Sequence, residues 1–96
     1  MEERALPEGF ALLANYPNPF NPQTTIAFTL PQASSVRLGV YDILGREVAL
    51  LRDGMFAAGR HKATFDASGL PSGMYVYRME AGMFVQTRRM LLLKWH

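Results

Sequence analysis

The sequence predicts an all-β protein, a seven-stranded antiparallel β-sandwich of the immunoglobulin-like kind. Apolar and polar residues alternate with a period of two in short runs, as they do in strands that bury one face. Glycine, proline, asparagine, aspartate and serine separate these runs at short intervals, so each run has the length of a strand. Seven such runs within 96 residues are typical of this sandwich and leave room for one domain only.

The seven runs supply both the predicted strands and the predicted core. They cover residues 10–14, 23–30, 36–40, 48–50, 63–65, 75–79 and 84–94. Because successive side chains of a strand point to opposite faces, the alternating apolar positions of each run fall on one face. The core is predicted to contain Ile26, Phe28, Val36, Leu38, Val40, Phe65, Tyr75, Tyr77 and Met90.

Two short turns are predicted to close hairpins. Residues 42–45 read Asp-Ile-Leu-Gly, in which Asp42 can bond its own turn and Gly45 can adopt a positive φ. This chemistry favours a tight hairpin with a bulge. Ala81-Gly82 predicts a second hairpin between the last two strands.

A longer connection at residues 66–73 is expected to cross between the two sheets. Asp66 and Gly73 are turn residues at its two ends, and Leu70 between them is expected to close one end of the core.

The most distinctive stretch is residues 15–22, Asn-Tyr-Pro-Asn-Pro-Phe-Asn-Pro. Three prolines in eight residues exclude a helix, because each fixes φ and lacks a backbone donor. Each proline also favours extended geometry in the residue before it. Such a segment is stiff before folding and loses little entropy on ordering. With Tyr16 and Phe20 as anchoring side chains, it is expected to be a rigid, shaped lead into the β-domain.

Composition argues against several classes of protein. The chain has no cysteines, which excludes disulfides, thiol nucleophiles and cysteine metal sites. The net charge of +2 is small, and no dense basic patch with interleaved aromatics points to nucleic acid. The apolar runs are too short to span a membrane, and the first residues lack the pattern of a signal peptide.

Catalytic chemistry is hardly visible in the sequence. His61 lies five residues from Asp66 on one predicted strand, so the two side chains point to opposite faces. No metal-ligand spacing occurs. The asparagines of residues 15–22 and Asp66 carry oxygens that could bind calcium, but turn formation explains the same residues. We expect a non-catalytic domain without a metal, a cofactor or a small-molecule substrate.

Four motifs in order resemble the C-terminal sorting domain of the type IX (Por) secretion system, in its type A form. Residues 15–26 resemble the first motif, and residues 40–48, Val-Tyr-Asp-Ile-Leu-Gly-Arg-Glu-Val, resemble the second. The third motif corresponds to residues 58–77, in which Phe65 stands where tryptophan is common. Residues 88–94, Arg-Arg-Met-Leu-Leu-Leu-Lys, resemble the terminal strand.

The first and last motifs supply the residues through which we expect such a domain to be recognised. They are Asn15, Tyr16, Pro17, Asn18, Pro19, Phe20, Asn21, Pro22, Arg88, Arg89, Met90, Leu92 and Lys94. If the terminal run lies at a sheet edge, its backbone groups can accept a partner by strand addition, and its charges guard against promiscuous pairing. The same edge could support a strand-mediated dimer.

The resemblance implies an address label for a longer protein. Such a domain directs the cargo that precedes it through the periplasm and the outer-membrane translocon of the type IX system. A sortase-like surface peptidase then removes the domain and attaches the cargo to the cell surface. The implied cargo is a polysaccharide-degrading hydrolase such as a xylanase, or a protease, and the implied location is extracellular or on the outer-membrane surface.

Two other functions fit a small β-sandwich. An accessory carbohydrate-binding or spacer module of a secreted enzyme would need exposed aromatics in a planar row. The exposed candidates, Tyr41, Phe56 and Phe84, are scattered along the sequence. A related immunoglobulin-like module occurs in flagellar-hook scaffolding proteins, so the fold alone would not establish a role in secretion.

The expected domain organisation follows from the resemblance. Residues 1–9 are expected to be a linker from a preceding domain, and residues 10–94 the sorting domain. Trp95 and His96 run past the usual terminal lysine and are expected to be a native tail or an addition from cloning.

Overall fold

Seven β-strands and no helix make up residues 9–94, the part of the chain that the computed structural model describes. The strands are β1 (Ala11–Leu12), β2 (Gln23–Leu30), β3 (Ser34–Tyr41), β4 (Glu47–Phe56), β5 (Gly59–Asp66), β6 (Gly73–Ala81) and β7 (Phe84–Leu92). The expected linker, except Gly9, and the expected tail at 95–96 lie outside the described residues. Within residues 9–94 no helix is long and apolar enough to cross a membrane.

The strands form two antiparallel sheets that pack face to face. One has the order β1-β2-β5 and the other the order β4-β3-β6-β7. The predicted all-β, seven-stranded antiparallel sandwich of the immunoglobulin-like kind is therefore confirmed. The connection at 66–73 joins β5 of the first sheet to β6 of the second, as predicted for a crossing loop.

The core lies between the sheets and contains all the residues predicted for it. The nine predicted side chains are at most 5 % exposed. The other buried hydrophobic members of the core cluster are Leu12, Phe20, Leu30, Ala63, Ala67, Met79, Ala81 and Leu92. Leu70 packs against this cluster from the crossing loop, as expected of a residue that closes one end of the core.

The hairpin between β3 and β4 has the predicted turn. Gly45 has φ of 85°, and its N–H donates to the carbonyl of Asp42 at 3.0 Å. The Asp42 carboxylate accepts from the backbone N–H groups of Leu44 (2.9 Å) and Arg46 (3.0 Å). These bonds hold the carboxyl in its charged form, so the pKa of Asp42 is lowered, chiefly by the Arg46 N–H. The turn is thus fixed by its own side chain.

Two expectations about aromatic and apolar segments were wrong. The first strand does not cover 10–14: β1 is only Ala11–Leu12, because regular pairing with β2 stops there and continues as separate backbone bonds from Leu13 and Tyr16. The aromatics expected to be exposed are half-buried instead. Phe56 packs edge-on against Phe28, at 6.0 Å between ring centroids, and Phe84 stacks on Phe10 at 5.3 Å.

Tyr41, the third aromatic expected to be exposed, is also half-buried. Its hydroxyl accepts a hydrogen bond from Arg37 at 3.2 Å. Among the described residues, the one aromatic side chain that is strongly exposed is Tyr16, at 80 %. A planar row of exposed aromatics, which a sugar-binding face requires, is therefore not present within residues 9–94.

Candidate recognition surface

The proline-rich segment, residues 15–22, packs along the outer edge of the terminal strand β7. Phe20 is the contact point: its N–H donates to the carbonyl of Leu91, and its carbonyl accepts from the N–H of Leu93, both at 3.0 Å. Phe20 forms a parallel bridge with Leu92 through these bonds. The first and last motifs of the sequence thus form one surface. Their pairing joins residues far apart in the chain, so no local sequence pattern predicts it.

The two aromatics of this segment have opposite roles. The Phe20 ring is 1 % exposed and tilts against Phe65 with 6.0 Å between ring centroids, so it is an anchor. Tyr16 pairs with Thr25 through two backbone hydrogen bonds of 3.0 and 2.9 Å. Side chains directly opposite in an antiparallel pair share a face, and Thr25 faces away from the core. The prediction that Tyr16 is an anchor was therefore wrong.

Asn15 and Asn18 hold the segment in shape with their side chains. The Asn15 amide nitrogen donates to Thr24 Oγ1 at 3.0 Å and to the Pro17 carbonyl at 3.2 Å. Asn18 Oδ1 accepts from the backbone N–H of Leu91 at 3.0 Å. Both side chains, which could have been calcium ligands by type, satisfy backbone and hydroxyl groups.

Asn15 Oδ1 is buried and has no hydrogen-bond partner within the described residues. The amide cannot be turned over to satisfy it, because the Pro17 carbonyl can only accept and so requires the amide nitrogen on its side. A buried acceptor left unpaired destabilises the folded state.

The end of the segment is tied to the crossing loop. The Pro22 carbonyl accepts from the N–H of Ala67 at 2.9 Å, and both Asn21 and Pro22 are half-buried. Pro17 and Pro19 are exposed. The accessible part of the segment is therefore its first half, residues 16–19.

The last motif, residues 88–94, buries two of its apolar side chains and exposes two of its three charged ones. Met90 and Leu92 lie in the core and are at most 1 % exposed. Arg89 and Lys94 are exposed, whereas Arg88 is half-buried and its Nε donates to the carbonyl of Leu12 at 2.6 Å. Arg88 lies on the inward parity of β7, two residues before the buried Met90, and this position is a signal of the contact in the sequence.

β7 is an edge strand, which is the condition for strand addition, but its outer edge is only partly open. Leu91 and Leu93 direct their backbone groups away from β6, so alternate residues of β7 do the same. Beyond Leu91 the edge is paired with Phe20. Near the other end, Leu12 contacts two inward-facing side chains of β7: its N–H donates to Gln86 Oε1 at 3.3 Å, and its carbonyl accepts from Arg88 Nε. The outward backbone groups of Thr87 and Arg89 take part in none of these contacts.

An open groove of about 580 Å³ lies along this edge, between residues 14–18 and β7. We call it the edge groove. The residues that line it are Ala14, Asn15, Asn18, Met74, Tyr77, Thr87, Arg88, Arg89, Met90 and Leu91. This lining contains two arginines and no carboxylate, so its electrostatic potential favours negative charge.

Lys94 clamps the end of β7 onto the crossing loop, a role that the sequence did not reveal. Its Nζ donates to the carbonyls of Ser68 (2.6 Å) and Leu70 (2.7 Å), and its backbone N–H donates to Ser72 Oγ (2.8 Å). The ammonium group of lysine is a compact charge with three N–H donors, so it can bind more than one carbonyl. Lys94, which ends the last motif, therefore fixes the loop at 66–73, which belongs to the third motif.

The other predicted turn residues shape the same loop. The Asp66 carboxylate accepts from the Ser68 hydroxyl and from the Ser68 N–H, the latter at 2.9 Å. These bonds lower the pKa of Asp66, with the hydroxyl as the largest cause. Gly73 begins β6 with φ of 152°, which is a region that favours glycine.

No group of three or more histidine, aspartate or glutamate side chains in residues 9–94 could hold a metal ion. His61 stacks on Phe28 at 5.3 Å between ring centroids, and its Nε2 lies 2.7 Å from the carbonyl oxygen of Ala57. That histidine is packed as part of the structure, and Asp66 lies on the opposite face of the same strand.

The fold and the surface together define a β-sandwich module whose first and last motifs form one contiguous face. A family model, that of the secretion system C-terminal sorting domain, matches residues 14–93. The match covers most of the 96 residues, so the chain belongs to this family. The searches of curated proteins and of solved structures each found no match.

Membership in this family implies a role in secretion. The domain carries a C-terminal sorting signal for type IX secretion, and the type IX machinery recognises it. Domains that sort proteins for secretion are generally non-catalytic, and this one implies export to the cell surface or beyond.

Proposed function

We propose that residues 10–94 act as one sorting unit that directs an upstream cargo through the outer-membrane translocon of the type IX system and leads to its attachment at the cell surface. The observation that carries this proposal is the pairing of Phe20 with Leu91 and Leu93. It makes one surface out of the proline-rich segment and the terminal strand, so that a receptor can read both motifs at once.

The physical basis is a pre-formed surface. The segment is held by the Asn15, Asn18 and Phe20 contacts before any partner arrives, so little entropy is left to lose on binding. Tyr16 within the segment and Arg89 on β7 are both exposed. Aromatic and arginine side chains are the types enriched at the centres of protein interfaces, which supports these two as contact residues.

The finer steps belong to the proposal as well. The cargo passes through the periplasm, and a sortase-like surface peptidase then removes the domain and joins the cargo to the surface. The cargo proposed is a polysaccharide-degrading hydrolase such as a xylanase. A strand-mediated dimer at the same edge is compatible with this function only if the second copy pairs within the edge groove or displaces Phe20.

The test is a secretion assay with a fluorescent reporter that carries an inner-membrane export signal and this domain at its C-terminus. Expressed in a host with the type IX machinery, the reporter is expected at the cell surface. Removing residues 85–96 deletes β7 together with the core residues Met90 and Leu92, so the result would mix unfolding with lost recognition.

Point variants separate the two effects. Tyr16→Ala and Arg89→Gln change exposed side chains and should leave the domain folded while reporter accumulates in the periplasm. Arg78→Gln is the matched control, because Arg78 is exposed on the neighbouring strand β6 but outside the surface. Surface display at the wild-type level in the double variant of Tyr16 and Arg89 would contradict the assignment of the contact residues. Periplasmic retention of the wild-type reporter would contradict the proposed function itself.

A further inference from the structure

The outer edge of β7 is interrupted by an opening that the chain itself does not fill. At one side the edge is closed by Phe20, and at the other Leu12 contacts the inward-facing side chains of Gln86 (3.3 Å) and Arg88 (2.6 Å). From Gln86 to Leu91 the strand spans about 17 Å. Open sheet edges of this kind are usually covered or shortened, because they are templates for pairing with another chain.

Within this opening the backbone of β7 faces outwards without a backbone partner among the described residues. Thr87 and Arg89 share the parity of Leu91, whose N–H and carbonyl both point away from β6. Their N–H and carbonyl groups therefore present alternating donors and acceptors at strand spacing. That pattern is complementary to an extended peptide backbone and to few other ligands.

The charge of the edge groove narrows the choice of peptide. Its lining contains Arg88 and Arg89 and no acidic residue. Arg88 uses its Nε on Leu12 but keeps the other nitrogens of the guanidinium, and Arg89 is exposed. Arginine pairs with carboxylates in bidentate geometry, so acidic side chains that alternate along a strand fit the groove better than basic ones.

We propose that the edge groove binds a short, extended and acidic peptide segment of a partner protein, which adds as a strand to β7 at Thr87 and Arg89. This inference rests on the proposed function, since it gives the chemistry of the partner segment that reads the terminal motif. The pairing length is limited on both sides by the chain's own contacts, so the groove accepts a segment of a few residues and excludes a long strand.

The direct test uses the wild-type domain and a fluorescent, blocked peptide in which glutamate alternates with valine. We expect saturable binding at low ionic strength, measured by fluorescence anisotropy, and amide shift changes at Thr87 and Arg89 in a two-dimensional NMR spectrum. The same peptide methylated at alternate backbone nitrogens should bind about tenfold more weakly, because it cannot donate to the edge. A version with lysine in place of glutamate should bind more weakly still.

Substitutions test whether the peptide binds in the edge groove. Arg89→Gln should weaken the glutamate peptide several-fold, and Arg78→Gln should leave binding unchanged. Thr87→Pro removes an outward N–H, which an edge strand tolerates, and should weaken binding when circular dichroism shows the variant folded. Absence of saturable binding, equal binding of the methylated peptide, or shift changes confined to β4 would each overturn the inference. In that event, wild-type secretion of the reporter would still support the sorting function, so the two failures are distinguishable.

Discussion

The backbone N–H of Phe20 donates to the carbonyl of Leu91, and this bond joins the first motif of the chain to the last. The contact is parallel, whereas every strand pair within the sheets is antiparallel. Phe20 also buries its ring between the sheets. Under the proposed function, stability and recognition are coupled at this point, because the side chain that anchors the core also positions the segment that a receptor would read.

Truncation of Phe20 should destabilise the domain strongly. We expect Phe20→Ala to lower the free energy of unfolding by about 3–5 kcal/mol, because it removes a buried ring and leaves a cavity against Phe65. The measurement is urea unfolding followed by fluorescence. Tyr16→Ala is the matched control in the same segment, and its change should stay within about 0.5 kcal/mol, because that ring is 80 % exposed. Equal losses in the two variants would contradict the distinct roles assigned to the two rings.

Gly45 should not tolerate a branched side chain. Its φ of 85° is unfavourable for any residue with a Cβ, although nothing lies within 4 Å of the position such a Cβ would take. Gly45→Val should therefore lower the free energy of unfolding by about 1–3 kcal/mol through backbone strain alone. Gly69→Val is the control, because Gly69 also has open space around it but no positive φ. A Gly45 variant as stable as the Gly69 variant would refute the role of backbone strain.

Period-two alternation was sufficient to predict most of the core of this fold. Alternation decides which face of a strand is buried, and the nine core residues predicted from it are buried. It was wrong in the run 48–50, where Leu50 is exposed because the pairing of β4 with β3 shifts register there, and it gave no indication of Phe20, which lies outside the strands. The turn at Asp42 and Gly45 was predictable as well, since its hydrogen bonds span only a few residues. Strand alternation and this turn depend only on residues close together in the chain, so both can be predicted from the sequence.

The recognition surface was predictable only in part, because its geometry depends on contacts between distant residues. The sequence indicated both motifs but could not distinguish Tyr16 from Phe20 as an anchor. The pairing of Tyr16 with Thr25 decides that question, and it is a tertiary contact. Lys94 could be read only as a charge beside a strand, because the carbonyls it binds belong to a loop more than twenty residues earlier.

Acid should weaken the domain through its two turn carboxylates. The pKa values of Asp42 and Asp66 are lowered in the folded state. The stabilisation they give is therefore present above the unfolded pKa of about 3.9 and is lost as the pH falls through the lower folded values. The melting temperature, followed from neutral to acidic pH, should decline across this window.

A neutral replacement tests the origin of that decline. Asp42→Asn keeps an oxygen for the N–H groups of Leu44 and Arg46 but removes the charge. Its melting temperature should be lower than wild type at neutral pH and should fall less steeply in acid. Asp53→Asn, an exposed change on β4, is the control and should keep the wild-type slope. The same slope in the Asp42 and Asp53 variants would exclude this turn as the source.

Lys94 should hold the crossing loop in place. Lys94→Met keeps the length and the apolar stem of the side chain but removes the donors to the Ser68 and Leu70 carbonyls. We expect a loss of about 1 kcal/mol in the free energy of unfolding, since hydrogen bonds from a charged donor contribute more than neutral ones but this one is exposed. Amide exchange should accelerate within residues 66–73 and stay unchanged in β3. Lys62→Met, an exposed change on β5, is the control and should leave exchange in the loop unaffected. If loop exchange in the Lys94 variant matched that of wild type, the clamp would have no mechanical role, and the terminal lysine would be left to recognition alone.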